Sequence, residues 1–228
     1  MHLFDLPAEI RLKIYSELLV LEESIPLVLE YSTPPLRAVR RRQKGDGLCP
    51  AVLRLNKQVH DEASPVLYSQ NVFRFPSFMK NLGSRDIVHT GVFLGQIGHN
   101  ASLIRHITLP CPPTAVERDA SGFFQLPEGF IRNLELMRDA CTSLSTLQLT
   151  MPMYLNIVFS QWPVAANLLD ALEPHLKAIS SLETVLIDLL LFDKARNPSV
   201  DVDKASLLKN IRARGWKVRV TYAPSPHG

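Results

Sequence analysis

The chain is expected to adopt an α/β fold, α+β at its N-terminus, and three observations predict it. In the C-terminal two-thirds, strand-like runs each follow a helical stretch, an alternation that implies crossover connections and a parallel sheet. In the N-terminal third, apolar residues recur at three- and four-residue spacings, as a helix that buries one stripe requires. A length of 228 residues, with 46% hydrophobic and 21% charged side chains, suits a globular protein large enough for one large domain or two small ones.

The first helix opens near Pro7, a residue suited to the first helical position because its missing N–H would go unbonded there in any case. Asp5 and Glu9 place negative charge beside the positive end of the helix dipole. At about 100° per residue, Leu3, Leu6, Pro7, Ile10, Ile14 and Leu18 gather on one arc. Ala8, Leu12, Tyr15 and Leu19 form a second arc, with Arg11 between the two, and only Glu9, Lys13 and Ser16 make a clean polar face. A helix apolar on two sides either lies inside a core or buries one side at home and offers the other to a partner.

Residues 25–31 read as a strand, with Pro26 at an edge or first position. Residues 33–48 combine prolines and glycines with Arg37, Arg40, Arg41, Arg42 and Lys44, and read as an inserted basic loop. Helical periodicity resumes at Pro50 through Val52, Leu55, Val59 and Ala63. Ser64-Pro65 then reads as the cap and first residue of a further short helix ending near Gln70. Residues 71–75 look like a strand able to pair with 25–31.

Further on, strands are expected at 102–109, 144–150, 182–189 and 216–222, their starts 42, 38 and 34 residues apart. Helices are expected near 89–98 and at 128–141, 163–179 and 201–214, the last capped by Asp201. The apolar run 182–192 contains Glu183 and Asp188 and is about half as long as a membrane span, so it reads as a buried strand. The final strand alternates Lys217, Arg219 and Thr221 with Trp216, Val218 and Val220, which suits the solvated end of a sheet. The arrangement resembles a short, degenerate leucine-rich-repeat-like layer, with a looser period than true repeats keep. The expected organisation is thus a helical region with a strand pair over 1–76, a helix-strand layer over 77–223, and a tail over 224–228.

Two stretches carry a family resemblance. Leu6-Pro7-Ala8-Glu9-Ile10, followed by Ile14 and Leu18, resembles the opening of an F-box, and Val52-Leu53-Arg54-Leu55-Asn56-Lys57-Gln58 through Ala63-Ser64-Pro65-Val66-Leu67-Tyr68 resembles the closing helices of fungal F-box-like proteins. The resemblance implies docking on a Skp-type adaptor of an SCF-type cullin-RING ubiquitin ligase, with the rest of the chain holding an unknown target protein. It carries adaptor contact to Leu6, Pro7, Ile10 and Ile14, matches Glu9 to an acidic position, and places Val52, Leu55 and Val59 in support of that surface. The pattern departs from a compact F-box in its inserted strand and loop, and in having Val59 where an aromatic residue is common. A scaffold protein whose F-box-like helices are internal core is the alternative reading, and an enzyme without a recognisable motif is a third.

Chemistry-bearing motifs are lacking: no GxSxG, P-loop, HExxH or dinucleotide fingerprint occurs, so a non-enzymatic binding protein without a cofactor is expected. Consecutive His60-Asp61-Glu62 side chains point in different directions around a helix and cannot converge on one metal. A net charge of +3 and a basic loop without interleaved aromatics argue against nucleic acid, and leave Arg37 to Lys44 as a candidate basic patch only. Cys49, Cys111 and Cys141 lack CxxC spacing, and Asp5 and Glu9 interrupt any signal-peptide pattern, so a cytoplasmic or nuclear location is expected, away from a membrane.

Overall fold

The strand-like runs pair in chain order, so that the fold grows by adding one strand and one helix at a time. In the computed structural model, residues 2–30, 37–40, 47–75, 89–111, 126–154, 161–192 and 198–223 are described. The strands are β1 (Ile25–Glu30), β2 (Arg37–Arg40), β3 (Val72–Arg74), β4 (His106–Pro110), β5 (Thr146–Tyr154), β6 (Thr184–Phe192) and β7 (Lys217–Ala223). The helices are α1 (Ala8–Leu19), α2 (Lys57–Gln70), α3 (His89–Ile97), α4 (Glu128–Ala140), α5 (Gln161–Lys177) and α6 (Pro198–Ala213). The sheet order is β2-β1-β3-β4-β5-β6-β7; β2 runs antiparallel to β1, and the other six strands are mutually parallel. The expected pairing of 71–75 with 25–31 is present, with Ile25 opposite Phe73, and β3 joins β4, so one sheet runs through both halves of the chain.

Alternation along the strands decides where the core sits. Phe73, Ile107, Leu147 and Val185 occupy one row across four strands, and Leu109, Leu149 and Ile187 another, all buried. The helices cover this side. Phe93 of α3 lies against Phe73 and Phe75, Tyr68 of α2 stacks on Phe73, and Lys204 of α6 reaches Tyr222, which shares the parity of the core rows. Asn133 of α4 accepts from Thr90 N, and Arg214, just past α6, pairs with Asp170 and Glu173 of α5, so neighbouring helices are tied into one layer.

At the base of this layer Asn71 is fully buried. Its Nδ2 donates to the carbonyls of Leu19 and Leu67 at 2.7 and 2.9 Å, and its Oδ1 accepts from Leu21 N at 2.9 Å. One side chain thereby satisfies the C-terminal ends of α1 and α2 together.

Several expectations are corrected in detail. Residues 37–40, expected to be loop, form β2, because the backbone from Arg37 to Arg40 pairs with Leu27–Glu30. The second helical segment breaks at Asn56 rather than Ser64: a 3-10 turn covers Pro50–Arg54, and Asn56 Oδ1 accepts from Val59 N at 2.9 Å to cap α2. Pro65 then lies inside α2, where burial of Val59, Ala63, Val66 and Leu67 along one face keeps the helix continuous across a residue that removes one of its bonds. Pro7 is the N-cap of α1 instead of its first residue, following a 3-10 turn at Leu3–Asp5. Residues 102 and 103 end a 3-10 turn (Gly98–Leu103) before β4, and α6 begins at Pro198, which puts Asp201 inside the helix instead of at its cap. Residues 31–36, 41–46 and the tail 224–228 lie outside the described residues.

Candidate functional site

The corner between α1 and α2 is organised by Arg11, the residue that separates the two apolar arcs. Its Nε and Nη2 donate to Glu62 Oε2 and Oε1 at 2.8 and 2.7 Å, a bidentate pair across the helices. Its Nη1 donates to Leu6 O at 2.6 Å, and its guanidinium stands 5.9 Å from the centroid of the Phe4 ring. Glu62 also accepts from Gln58 Nε2 and the Tyr15 hydroxyl. These donors, Arg11 first, hold the Glu62 carboxyl down at about 2, while burial and the Glu62 carboxylate push the Tyr15 hydroxyl up. The network fixes the turn that carries Leu6 and Pro7 against the second helix.

Around this network the two arcs of α1 part. Tyr15 and Leu19 of the second arc are buried in the core, while Ile10 of the first is 41% exposed. Pro7 and Glu9 are exposed and Leu6 and Ile14 half-buried. Leu12, 43% exposed, and Ala8, also exposed, depart from the second arc. Of the residues expected to support the surface, Leu55 is itself exposed, at 67%, in the link between the 3-10 turn and α2. Val52 and Val59 are core residues, Val59 only 1% exposed, so direct partner contact is denied to them; they act only by holding the corner from beneath. In the same corner His60 Nδ1 lies 3.2 Å from Leu53 O.

A second constellation, which local motifs did not signal, lies on the opposite face of the sheet. Asp188 of β6 is 5% exposed, and it accepts from Gln148 Nε2 of β5 at 3.1 Å, and from Arg219 Nη2 and Thr221 Oγ1 of β7 at 2.6 and 3.1 Å. Three strands are thus cross-linked on the side away from the helices. The sequence signal was present: Asp188 is the one charged residue in a strand that is apolar but for Thr184, and it stands opposite Arg219 in the parallel register.

The candidate basic patch is divided. Arg37 and Arg40 lie on β2, with Arg37 opposite Glu30 and Arg40 opposite Leu27; Arg41, Arg42 and Lys44 lie outside the described residues. Among the described residues, no group of three His, Cys, Asp or Glu side chains could hold a metal ion, and no helix is long and apolar enough to cross a membrane. Cys111 and Cys141 are buried free thiols that burial pushes up to about 12, which disfavours the thiolate a nucleophile needs; Cys49 is exposed.

Together these features define an α/β protein built on six parallel strands, with a helical corner at one end and a polar sheet face opposite its helices. Comparison with protein-family models, with curated proteins and with solved structures yields no match.

Proposed function

We propose that the protein is a non-enzymatic interaction module that docks a Skp-type adaptor through the outward arc of α1 and holds a target protein on its α/β layer. It would then serve as a substrate receptor of an SCF-type cullin-RING ubiquitin ligase, in the cytosol or nucleus. The observation that supports this reading is the division of α1: Tyr15 and Leu19 satisfy the core, leaving Ile10 and Pro7 exposed beside half-buried Leu6 and Ile14. An aliphatic helix face of this kind fits an apolar groove, where a few buried anchors carry most of the binding energy. The mechanism is proximity. A target held beside a ubiquitin-loaded enzyme meets it at a high effective concentration, so that transfer proceeds as within one molecule.

The test is co-purification with a Skp-type adaptor, comparing wild type with the Leu6→Asp plus Ile10→Asp variant while far-UV circular dichroism checks that both are folded. The expected result is adaptor recovered with wild type and reduced at least tenfold with the variant. Equal recovery with both proteins, or none with wild type, overturns the proposal.

A further inference from the structure

We propose that the sheet face opposite the helices binds an extended acidic segment of a partner protein. Parallel sheets are ordinarily covered on both faces, yet every described helix packs on the side of Phe73, Leu147 and Ile187. On the other side Asp188 is consumed by its three donors, and Glu30, at the far end of β1, stands opposite Arg37 in the register. Arg74 and Lys217 are exposed there and have no ion-pair partner among the described residues. The face therefore offers the unpaired positive charge of Arg74 and Lys217 while Asp188 is occupied, which is the complement of an acidic ligand.

Register gives the dimensions. Arg74, Thr108, Gln148, Leu186 and Lys217 stand in one row across β3 to β7. Four strand spacings amount to about 19 Å, the reach of about six extended residues. Arg219, two residues beyond Lys217 on the same strand, is already paired with Asp188, which leaves Lys217 as the free charge at that end. Half-buried Leu186 and Leu190 lie near the β7 end of this face as an apolar floor. The complementary segment thus carries acidic residues at its two ends and an aliphatic residue between them. A single-stranded nucleic acid would share the charge but wants aromatic platforms along its path, and the row from Arg74 to Lys217 contains no Phe, Tyr or Trp.

The inference rests on the reading that the α/β layer holds the target, and it is independent of adaptor docking. The test pans a random peptide library against the full chain, then measures the selected peptides by fluorescence anisotropy. Wild type is compared with Arg74→Glu plus Lys217→Glu and with the milder Arg74→Gln plus Lys217→Gln, all at exposed positions. The expected result is enrichment of acidic peptides whose affinity falls at least tenfold in the charge-reversed variant, less in the glutamine variant, and steeply with added salt. Leu6→Asp plus Ile10→Asp should bind the same peptides as wild type, so that failure at α1 is read separately. Absence of selected peptides, peptides without acidic excess, unchanged affinity in both variants, or charge-dependent binding of a labelled single-stranded oligonucleotide in their place overturns it.

Discussion

Replacing Asn71 by Ala should be among the most damaging single changes this protein can undergo, out of proportion to the few atoms removed. The side chain is fully buried and makes three hydrogen bonds, to Leu19 O, Leu67 O and Leu21 N. A typical intramolecular hydrogen bond contributes about 1 kcal/mol net, and a buried group left without a partner costs about 1 to 3 kcal/mol. Two carbonyls and one amide lose their partner together, which gives about 3 to 5 kcal/mol, a large fraction of the stability of an ordinary domain. With a urea m-value of about 2 to 3 kcal/mol/M, the unfolding midpoint should move down by about 1 to 2 M, with the slope unchanged. Urea titration followed by far-UV circular dichroism measures this. Asn71→Asp sharpens the test: it keeps an acceptor for Leu21 N but turns a carboxylate toward two carbonyls. That variant should recover stability as the pH falls and the carboxyl, once protonated, can donate. A midpoint shift below about 0.5 M for Asn71→Ala would refute the view that one side chain closes both helices.

The Arg11–Glu62 pair has a pH signature. Because Glu62 is held at about 2 in the folded protein, below its ordinary 4.5, its stabilising contribution is complete above the ordinary value and is lost as the pH falls toward 2. The gap in urea midpoint between wild type and Glu62→Gln should accordingly be widest near neutral pH and close between pH 4.5 and 2; a gap that is flat across that window would count against it. At the end of α6, Gly215 has φ +75° and closes the helix through Gly215 N to Arg212 O and Trp216 N to Ile211 O. Its Cβ would meet nothing within 4 Å, so Gly215→Ala should cost only the left-handed backbone strain, about 1 kcal/mol. Gly95→Ala, in the body of α3 with the same open surroundings, should stabilise by about 0.5 to 1 kcal/mol, and thermal unfolding of the two variants should shift in opposite directions.

The C-terminal layer was largely legible because its signals are local. Alternating or continuous apolar runs such as 182–192 bury strands, and the long periodic stretch 128–141 buries a helix face, whatever else surrounds them. The misreadings fall where a local rule met a distant partner. Basic residues 37–40 resemble loop until β1 lies beside them, and Ser64-Pro65 resembles a helix start until the buried row Val59, Ala63, Val66 and Leu67 holds α2 together. The helical corner was half legible: periodicity separates the two arcs of α1, but only packing against α2 decides that Tyr15 faces the core while Leu12 does not. Arg11 and Glu62 are 51 residues apart, as the chain counts them, and no local pattern couples them.

By itself, then, the sequence determined the alternation of helix and strand, and with it a parallel sheet, because hydrophobic period and crossover geometry act over short lengths of chain. The tertiary structure alone decided which residues of α1's two apolar arcs are left to water, that Asn71 closes two helices, and that Asp188, Arg219, Gln148 and Thr221 meet on one face of the sheet. Those outcomes depend on which residues become neighbours across strands and helices. Burial and charge pairing are properties of that neighbourhood, not of any residue's place in the chain.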